Sequence, residues 1–234
     1  AKVVIGARRV DKLTEVAKSC ETSAPDSCPG KVLAVACDVT DRASVQAFVK
    51  AACTEHGVDA VDSIVCCAGV MYFTQMKNCL MDQWDQTIDV NCKGVTNCMG
   101  AVLQGMTAAG AGKVVVISSD AGVRPFGSLA VYSASKHFVE CLCEATRREL
   151  VGTGVTIHTV QPGDVKGTEL ILKNTDEEAA KGIGVEIGKP VGEGFSRTQL
   201  LDPKDVANAV VTVLTAPPHV AINSILIEPR DQEQ

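Results

Sequence analysis

No run of apolar residues in this 234-residue sequence approaches the roughly 18 that a membrane-spanning helix requires. The N-terminus also lacks the charged-then-apolar-then-small layout of a secretory signal. Positive charge is in short supply. With 22 Lys and Arg against 28 Asp and Glu the net charge is −6, which argues against a broad electrostatic grip on nucleic acid or an anionic membrane. Charged residues make up only 21% beside 46% apolar ones, a balance foreign to disordered chains. Repeats, low-complexity tracts and charge blocks are absent. There are 11 cysteines, yet no Cys-x-x-Cys pair, and the four histidines are far apart in sequence, so no metal site is expected. Most cysteines sit in apolar runs such as Ile64-Val65-Cys66-Cys67 and Cys141-Leu142-Cys143, as small buried hydrophobes do in a reducing compartment. These absences leave a soluble, cytoplasmic, globular protein, read as one domain over residues 1–234.

What is present is a regular alternation. Short β-branched runs at 2–7, 31–37, 63–67, 114–118, 155–160 and 222–227 predict strands. Between them, helical patterns cover 10–20, 42–56, 83–109 and 130–151, and a helix with proline in its first turn opens at Asp202-Pro203 and runs to about Thr215. The second helix has Thr40 or Asp41 as N-cap and Gly57 as its stop, and the third breaks near Asn91. The fourth carries an apolar stripe of Val131, Ala134, Phe138, Leu142 and Ala145. A turn-rich segment fills 23–30, and 169–200 is glycine-rich and irregular, as a functional lid often is. The connections are too long for hairpins, so the fold class is α/β, a parallel sheet with helices on both faces. Such sheets bind ligands at the carboxyl ends of their strands, here just after Ala7, Cys37, Cys67, Ser118 and Val160.

Those strand ends carry chemistry-bearing residues. Tyr132 is one of only two tyrosines, and Lys136 follows it four residues later on the same helical face. A free phenol is a poor acid or base at neutral pH; an adjacent ammonium that lowered its pKa by about 3 units would need roughly 4 kcal/mol of differential interaction. Ser118 and Ser119 end the strand just before, where a hydroxyl meets a ligand's carbonyl oxygen. Gly69 and Asn91 add two more points on that edge. Taken singly, each has a plain alternative: chance spacing, a turn-forming serine, a local cap.

Taken together, Ile117-Ser118-Ser119-Asp120-Ala121-Gly122, Tyr132-Ser133-Ala134-Ser135-Lys136, Gln161-Pro162-Gly163 and Asp89-Val90-Asn91 resemble the short-chain dehydrogenase/reductase superfamily along the whole chain. The resemblance implies a Rossmann-type doubly wound sheet and hydride transfer between a nicotinamide and a carbonyl or alcohol carbon. The family's spacing of thirteen residues from serine to tyrosine selects Ser119 rather than Ser118. It makes Tyr132 the general acid/base and Ser119 the holder of the substrate oxygen. Lys136 would lower the tyrosine pKa and hold the nicotinamide ribose, and Asn91 would anchor a relay water.

The acid that accepts a ribose 2′-OH in NAD-binding sheets is replaced at Ala7, and Arg8-Arg9 follow, so NADP is the expected cofactor with Arg8 on its 2′-phosphate. By resemblance Asp38 and Val39 flank the adenine, Cys67, Ala68 and Gly69 line the cofactor, and Pro162, Gly163, Val165 and Thr168 lie by the nicotinamide. Met71 to Thr74, Gly122 to Leu129 and 169–200 face the substrate. The helices 91–109 and 130–151 would pair in a homodimer or homotetramer. Two departures stand out: Cys66-Cys67-Ala68-Gly69 replaces the usual Asn-Asn-Ala-Gly, and the Thr-Gly-x-x-x-Gly-x-Gly pyrophosphate turn is missing. In a sheet of order 3-2-1-4-5-6-7 the strand that carries this turn lies between the first and third visible strands, so the sequence reads as N-terminally incomplete and should leave two unpaired edges there. An inactive binding or dimerisation module and a nucleotide-sugar epimerase are the alternatives.

Overall fold

The computed structural model describes residues 1–24, 31–192 and 199–232. The predicted turn at 25–30 and Gly194 lie outside these residues. Six parallel strands are found among the described residues: β1 (Val3–Ala7), β2 (Val32–Ala36), β3 (Ser63–Cys66), β4 (Gly112–Ile117), β5 (Val155–Pro162) and β6 (Ser224–Ile227). Seven α-helices connect them among the described residues: α1 (Val10–Ser23), α2 (Arg42–His56), α3 (Met81–Ile88), α4 (Gly94–Ala109), α5 (Ala130–Glu149), α6 (Glu177–Ile183) and α7 (Pro203–Thr215). None is long and apolar enough to cross a membrane.

The strands form two sheets, β1-β2 and β3-β4-β5-β6. β1 and β3 do not pair with each other, so the expected break lies between the first and third strands. Within the larger sheet, Val114, Val115 and Val116 of β4 are all fully buried. A strand covered on both faces has no polar side to alternate with, which is why this run is continuously apolar. Val114 and Val116 face Met99, Val102 and Met106 of α4 and Val139 and Cys143 of α5, while Val115 packs with Val160 against Ala209 and Val213 of α7.

The helix ends follow local chemistry. Asp41 caps α2 by accepting from Ala43 N at 2.9 Å, and Gly57 closes it in the left-handed region. Asp202 and Asp205 form a capping box around Pro203 at the start of α7. Three expectations need correction. The 169–200 stretch is not wholly irregular: Asp176 caps α6, a helix too short to leave a periodic signature. The apolar stripe on α5 is not its core face. Ala134, Phe138 and Ala145 are exposed, and the helix instead buries Tyr132, Ser135, Lys136, Val139 and Cys143. Nor are the cysteines uniformly buried: Cys37, Cys66, Cys98 and Cys143 are, but Cys20, Cys67, Cys79 and Cys141 are exposed.

A close backbone approach fixes the bottom of the larger sheet. Gly154, before β5, has φ +79°, and a Cβ built on it would collide with the carbonyl oxygen of Gly110, the C-cap of α4. Gly154→Ala should therefore lower stability by about 2–3 kcal/mol, combining left-handed strain with overpacking, read as a lower urea midpoint at unchanged slope.

Candidate active site

β4 ends at Ile117, and the chain leaves it through Ser118 and Ser119 into a tight turn at Asp120–Gly122. The Ser119 side chain caps that turn, accepting from Ala121 N at 3.1 Å. α5 crosses this strand end and lowers Tyr132 and Lys136, one helical turn apart, onto it. Both are buried, at 6% and 5% exposure. Lys136 Nζ donates to the Ile117 carbonyl at 2.9 Å and lies 5.7 Å from the Tyr132 ring centroid. Ser119, not Ser118, hydrogen-bonds the Tyr132 phenol, as the thirteen-residue spacing requires. The Ser118 hydroxyl is buried without a partner among the described residues.

The electrostatics differ from the expected pattern. Burial pushes the Tyr132 phenol up to about 12; the Ser119 hydrogen bond opposes this and the Asp120 carboxylate adds to it. Lys136 is not among the groups that lower the phenol. Its ammonium lies over the ring and points at the Ile117 carbonyl rather than at the hydroxyl, and loss of solvent outweighs it. Burial also lowers Lys136, to about 8, against the opposing effects of Cys67, Cys92 and Glu140.

Asn91 is not a local cap. It lies in a π-turn, Asp89–Lys93, that joins α3 to α4. Its side chain accepts from Val70 N at 2.9 Å and donates to Val70 O at 2.9 Å and Ser135 Oγ at 3.0 Å, tying the loop after β3 to α5. A Cβ on Gly69 would sit 3.5 Å from Asn91 Oδ1 and 3.9 Å from Lys136 Nζ, so Gly69, Asn91 and Lys136 converge.

The residues expected at a dinucleotide lie along the same edge. Arg8 lines an open cleft with Thr40, Asp82, Asp85, Gln86 and Asp89 and forms no ion pair among the described residues. Its neighbour Arg9 is committed to Glu169 at 2.6 Å, and Lys12 to the same carboxylate at 2.7 Å. These two cations, Lys12 foremost, hold Glu169 down at about 2. Asp38 turns inward, accepting from Thr40 N at 2.9 Å and Thr40 Oγ1 at 2.8 Å, which lowers its pKa. Val39 packs over Gly94, and its carbonyl accepts from Asn97 at 2.8 Å. Cys67, Ala68 and Gly69 are exposed at the end of β3. Pro162 closes β5, Gly163 N donates to Ile227 O at 2.8 Å, and Val165 bridges to Leu201. Thr168 Oγ1 donates back to Val165 O at 3.4 Å, so its hydroxyl is turned onto its own loop.

A nicotinamide dinucleotide fits the groups that are present. A guanidinium without an ion pair among the described residues at one end, exposed residues Cys67–Gly69 in the middle and a buried ammonium beside a phenol at the other supply donors for its phosphate, ribose and ring ends. The chain itself holds no glycine-rich turn for the pyrophosphate.

The short chain dehydrogenase family model matches residues 1–179. The chain belongs to this family. It is an oxidoreductase of the short chain dehydrogenase type, with the parallel α/β architecture of its relatives. It is 48% identical over 99% of its length to a glycine betaine reductase of Emericella nidulans, of which it spans only 17%. An uncharacterised oxidoreductase of Listeria innocua is 31% identical over 99% of the chain and 88% of that protein. Among solved structures, the closed form of a serine dehydrogenase complexed with NADP+ superimposes with a TM-score of 0.80 at 29% identity, covering 100% of this chain and 87% of that one.

Asp120, Gln232 and Glu169 play a visible part in the geometry around this site and do not stand out from the sequence motifs. Asp120 carries a signal, a charge in the middle of an otherwise small and neutral Ser-Ser-x-Ala-Gly run. Gln232 and Glu169 carry none.

Proposed function

We propose that this chain, as a single domain, catalyses NADP(H)-dependent hydride transfer between a nicotinamide and a carbonyl or alcohol carbon. The observation that carries the reading is the buried triad of Ser119, Tyr132 and Lys136 on one strand end. When bound, the nicotinamide supplies or accepts the hydride. Tyr132 keeps its proton at neutral pH and gives it to the developing alkoxide. Ser119 donates to the same oxygen and fixes its position. Lys136 holds the nicotinamide ribose and places positive charge beside the phenol; Asn91 keeps Gly69 and Lys136 in register. Arg8 binds the 2′-phosphate, with the backbone of Cys67 to Gly69 along the cofactor and Asp38 and Val39 near the adenine. Pro162, Gly163, Val165 and Thr168 shape the nicotinamide side.

The substrate is a small carbonyl compound. The likeness to a glycine betaine reductase puts carbonyl compounds bearing a quaternary ammonium group first among those to try. The exposed apolar stripe on α5, with Phe138 at 42% exposure, supports pairing with a second copy of the chain.

The test is loss of NADPH absorbance on addition of a panel of aldehydes and ketones to the full-length protein. Turnover with at least one supports the reading. Absence of both turnover and NADPH binding by fluorescence titration supports the binding-module alternative instead. Arg8→Ala should raise KM for NADPH by roughly 10- to 100-fold, the worth of a charge-assisted hydrogen-bond pair, and leave KM for NADH unchanged. Equal effects on both cofactors would remove Arg8 from the 2′-phosphate.

A further inference from the structure

A serine hydroxyl has one proton and two lone pairs, and an ionised carboxylate only accepts. The contact between Ser119 Oγ and Asp120 Oδ1 at 2.8 Å therefore uses the serine proton, leaving Ser119 to accept from its other neighbours. Ala121 N completes the turn, 2.8 Å from Asp120 Oδ1 and 3.1 Å from Ser119 Oγ. The second carboxylate oxygen, Oδ2, accepts from Gln232 Nε2 at 2.6 Å. Gln232 Oε1 in turn accepts from Asp164 N at 3.2 Å, beside the Gly163 turn. A Cβ on Gly163 would collide with the Gln232 carboxamide, so the glycine leaves the space that Gln232 fills. Asp120 and Gln232 are only 7% and 9% exposed. Among the described residues no cationic side chain pairs with Asp120. A buried carboxylate held only by neutral donors is costly, and here it stands beside the triad.

We propose that Asp120 and Gln232 are a positioning pair for the candidate active site: Gln232 fixes the Asp120 carboxylate, and the carboxylate accepts the Ser119 hydrogen bond until a substrate oxygen replaces it as acceptor. This rests on the function proposed above. With its proton committed to Asp120, the Ser119 hydroxyl is held in place beside the Tyr132 phenol, and the Asp120 carboxylate favours the phenol's acid form for carbonyl reduction. A developing alkoxide is a stronger acceptor than a carboxylate already sharing two other donors, so the serine O–H keeps its proton but turns its hydrogen bond to the alkoxide as the hydride arrives, while Tyr132 supplies the transferred proton. The charges facing Tyr132 come from two elements: Asp120 after β4, which favours the neutral phenol, and Lys136 of α5, itself faced by Cys67 after β3, Cys92 of the π-turn and Glu140 of α5. The pair also joins the turn after β4 to the loop after β5 through a residue 112 positions away.

The test combines steady-state kinetics with a readout that needs no turnover. In a Tyr72→Phe background Tyr132 is the only tyrosine, so phenolate absorbance reports it alone. Asp120→Ala should lower kcat for reduction by about tenfold or more with KM within about threefold, and shift the phenolate titration down by about one pH unit. Asp120→Asn and Gln232→Glu should each impair kcat, because two amides or two carboxylates then face each other. The double variant Asp120→Asn/Gln232→Glu restores the bond in reverse: the introduced carboxylate accepts from both the Asp164 N–H and the introduced amide, whose own oxygen still accepts from Ser119. It should recover kcat to within about threefold of wild type.

The proposal is overturned if Asp120→Ala leaves both kcat and the titration unchanged, or if the double variant is no better than the worse single one. Should Asp120→Ala fail to fold, Gln232→Ala takes its place, with shifts in the same direction expected and their absence decisive against the pair. Should the wild type reduce no carbonyl at all, the titration still decides: a downward shift in Asp120→Ala upholds the pair while the reductase reading fails, and no shift overturns both.

Discussion

Tyr132→Phe lowers kcat/KM for carbonyl reduction by about 10²- to 10⁴-fold and leaves NADPH affinity within about threefold. The substitution removes one hydroxyl and keeps the ring, so the shape of the buried site and its packing against α5 are unchanged. What is lost is the only protonated group of suitable chemistry at the triad. Ser119 is too weak an acid to replace it, and Lys136 is turned toward the Ile117 carbonyl. Loss of the phenol's hydrogen bond with Ser119 costs about 0.5–1.5 kcal/mol, too little to unfold a domain, so a thermal melt shifted by only a few degrees separates lost chemistry from lost structure. Ser119→Ala should be the milder change, because Tyr132 still donates to the substrate oxygen. Activity that survives Tyr132→Phe within about tenfold would exclude Tyr132 as the general acid.

Much of this arrangement is legible in the sequence, and the reasons differ by element. β4 announces itself because a doubly covered parallel strand must be apolar at every position, and Val114, Val115 and Val116 are. The stop at Gly57 and the helix start at Asp202-Pro203 are local chemistry and need no tertiary information, whereas the choice of Asp41 over Thr40 as the cap of α2 is made by the structure. α6 escapes because seven residues do not complete two full turns of an apolar pattern. The stripe on α5 misleads for a different reason. Periodicity shows that a helix has two faces, whereas which of them meets the core is decided by the rest of the fold, and here the polar face with Tyr132, Ser135 and Lys136 goes inward. The triad itself follows from spacing, yet its electrostatics do not. Proximity in sequence suggests that Lys136 governs Tyr132, but desolvation acts on both and is set by burial. Gln232 is beyond reach of any local argument, since it meets Asp120 only after the last strand has been laid beside β5.

Asn91 joins fold and site most directly, and its replacement should have the largest effect on stability. The residue is 1% exposed, and its carboxamide satisfies both the N–H and the carbonyl of Val70. No strand or helix offers those two groups another partner, because Val70 lies past the end of β3. Asn91→Leu keeps the volume but strands both, at about 1–3 kcal/mol each, so a loss of about 3–5 kcal/mol is expected, a large share of a typical domain's roughly 5–15 kcal/mol. The Ser135 contact adds little: its hydroxyl also donates to Tyr132 O at 2.7 Å within its own helix, and Ser135→Ala should cost no more than about 1 kcal/mol. Urea denaturation of the two variants separates these cases. Because the π-turn sets where Asn91 points, freeing Val70 also frees Gly69, whose place is 3.9 Å from Lys136 Nζ as measured from a built Cβ. NADPH affinity should therefore fall in Asn91→Leu even at temperatures where the variant is folded. A stability within about 1 kcal/mol of wild type would mean that water satisfies Val70 when Asn91 is gone, and that the tie between β3 and α5 is made elsewhere.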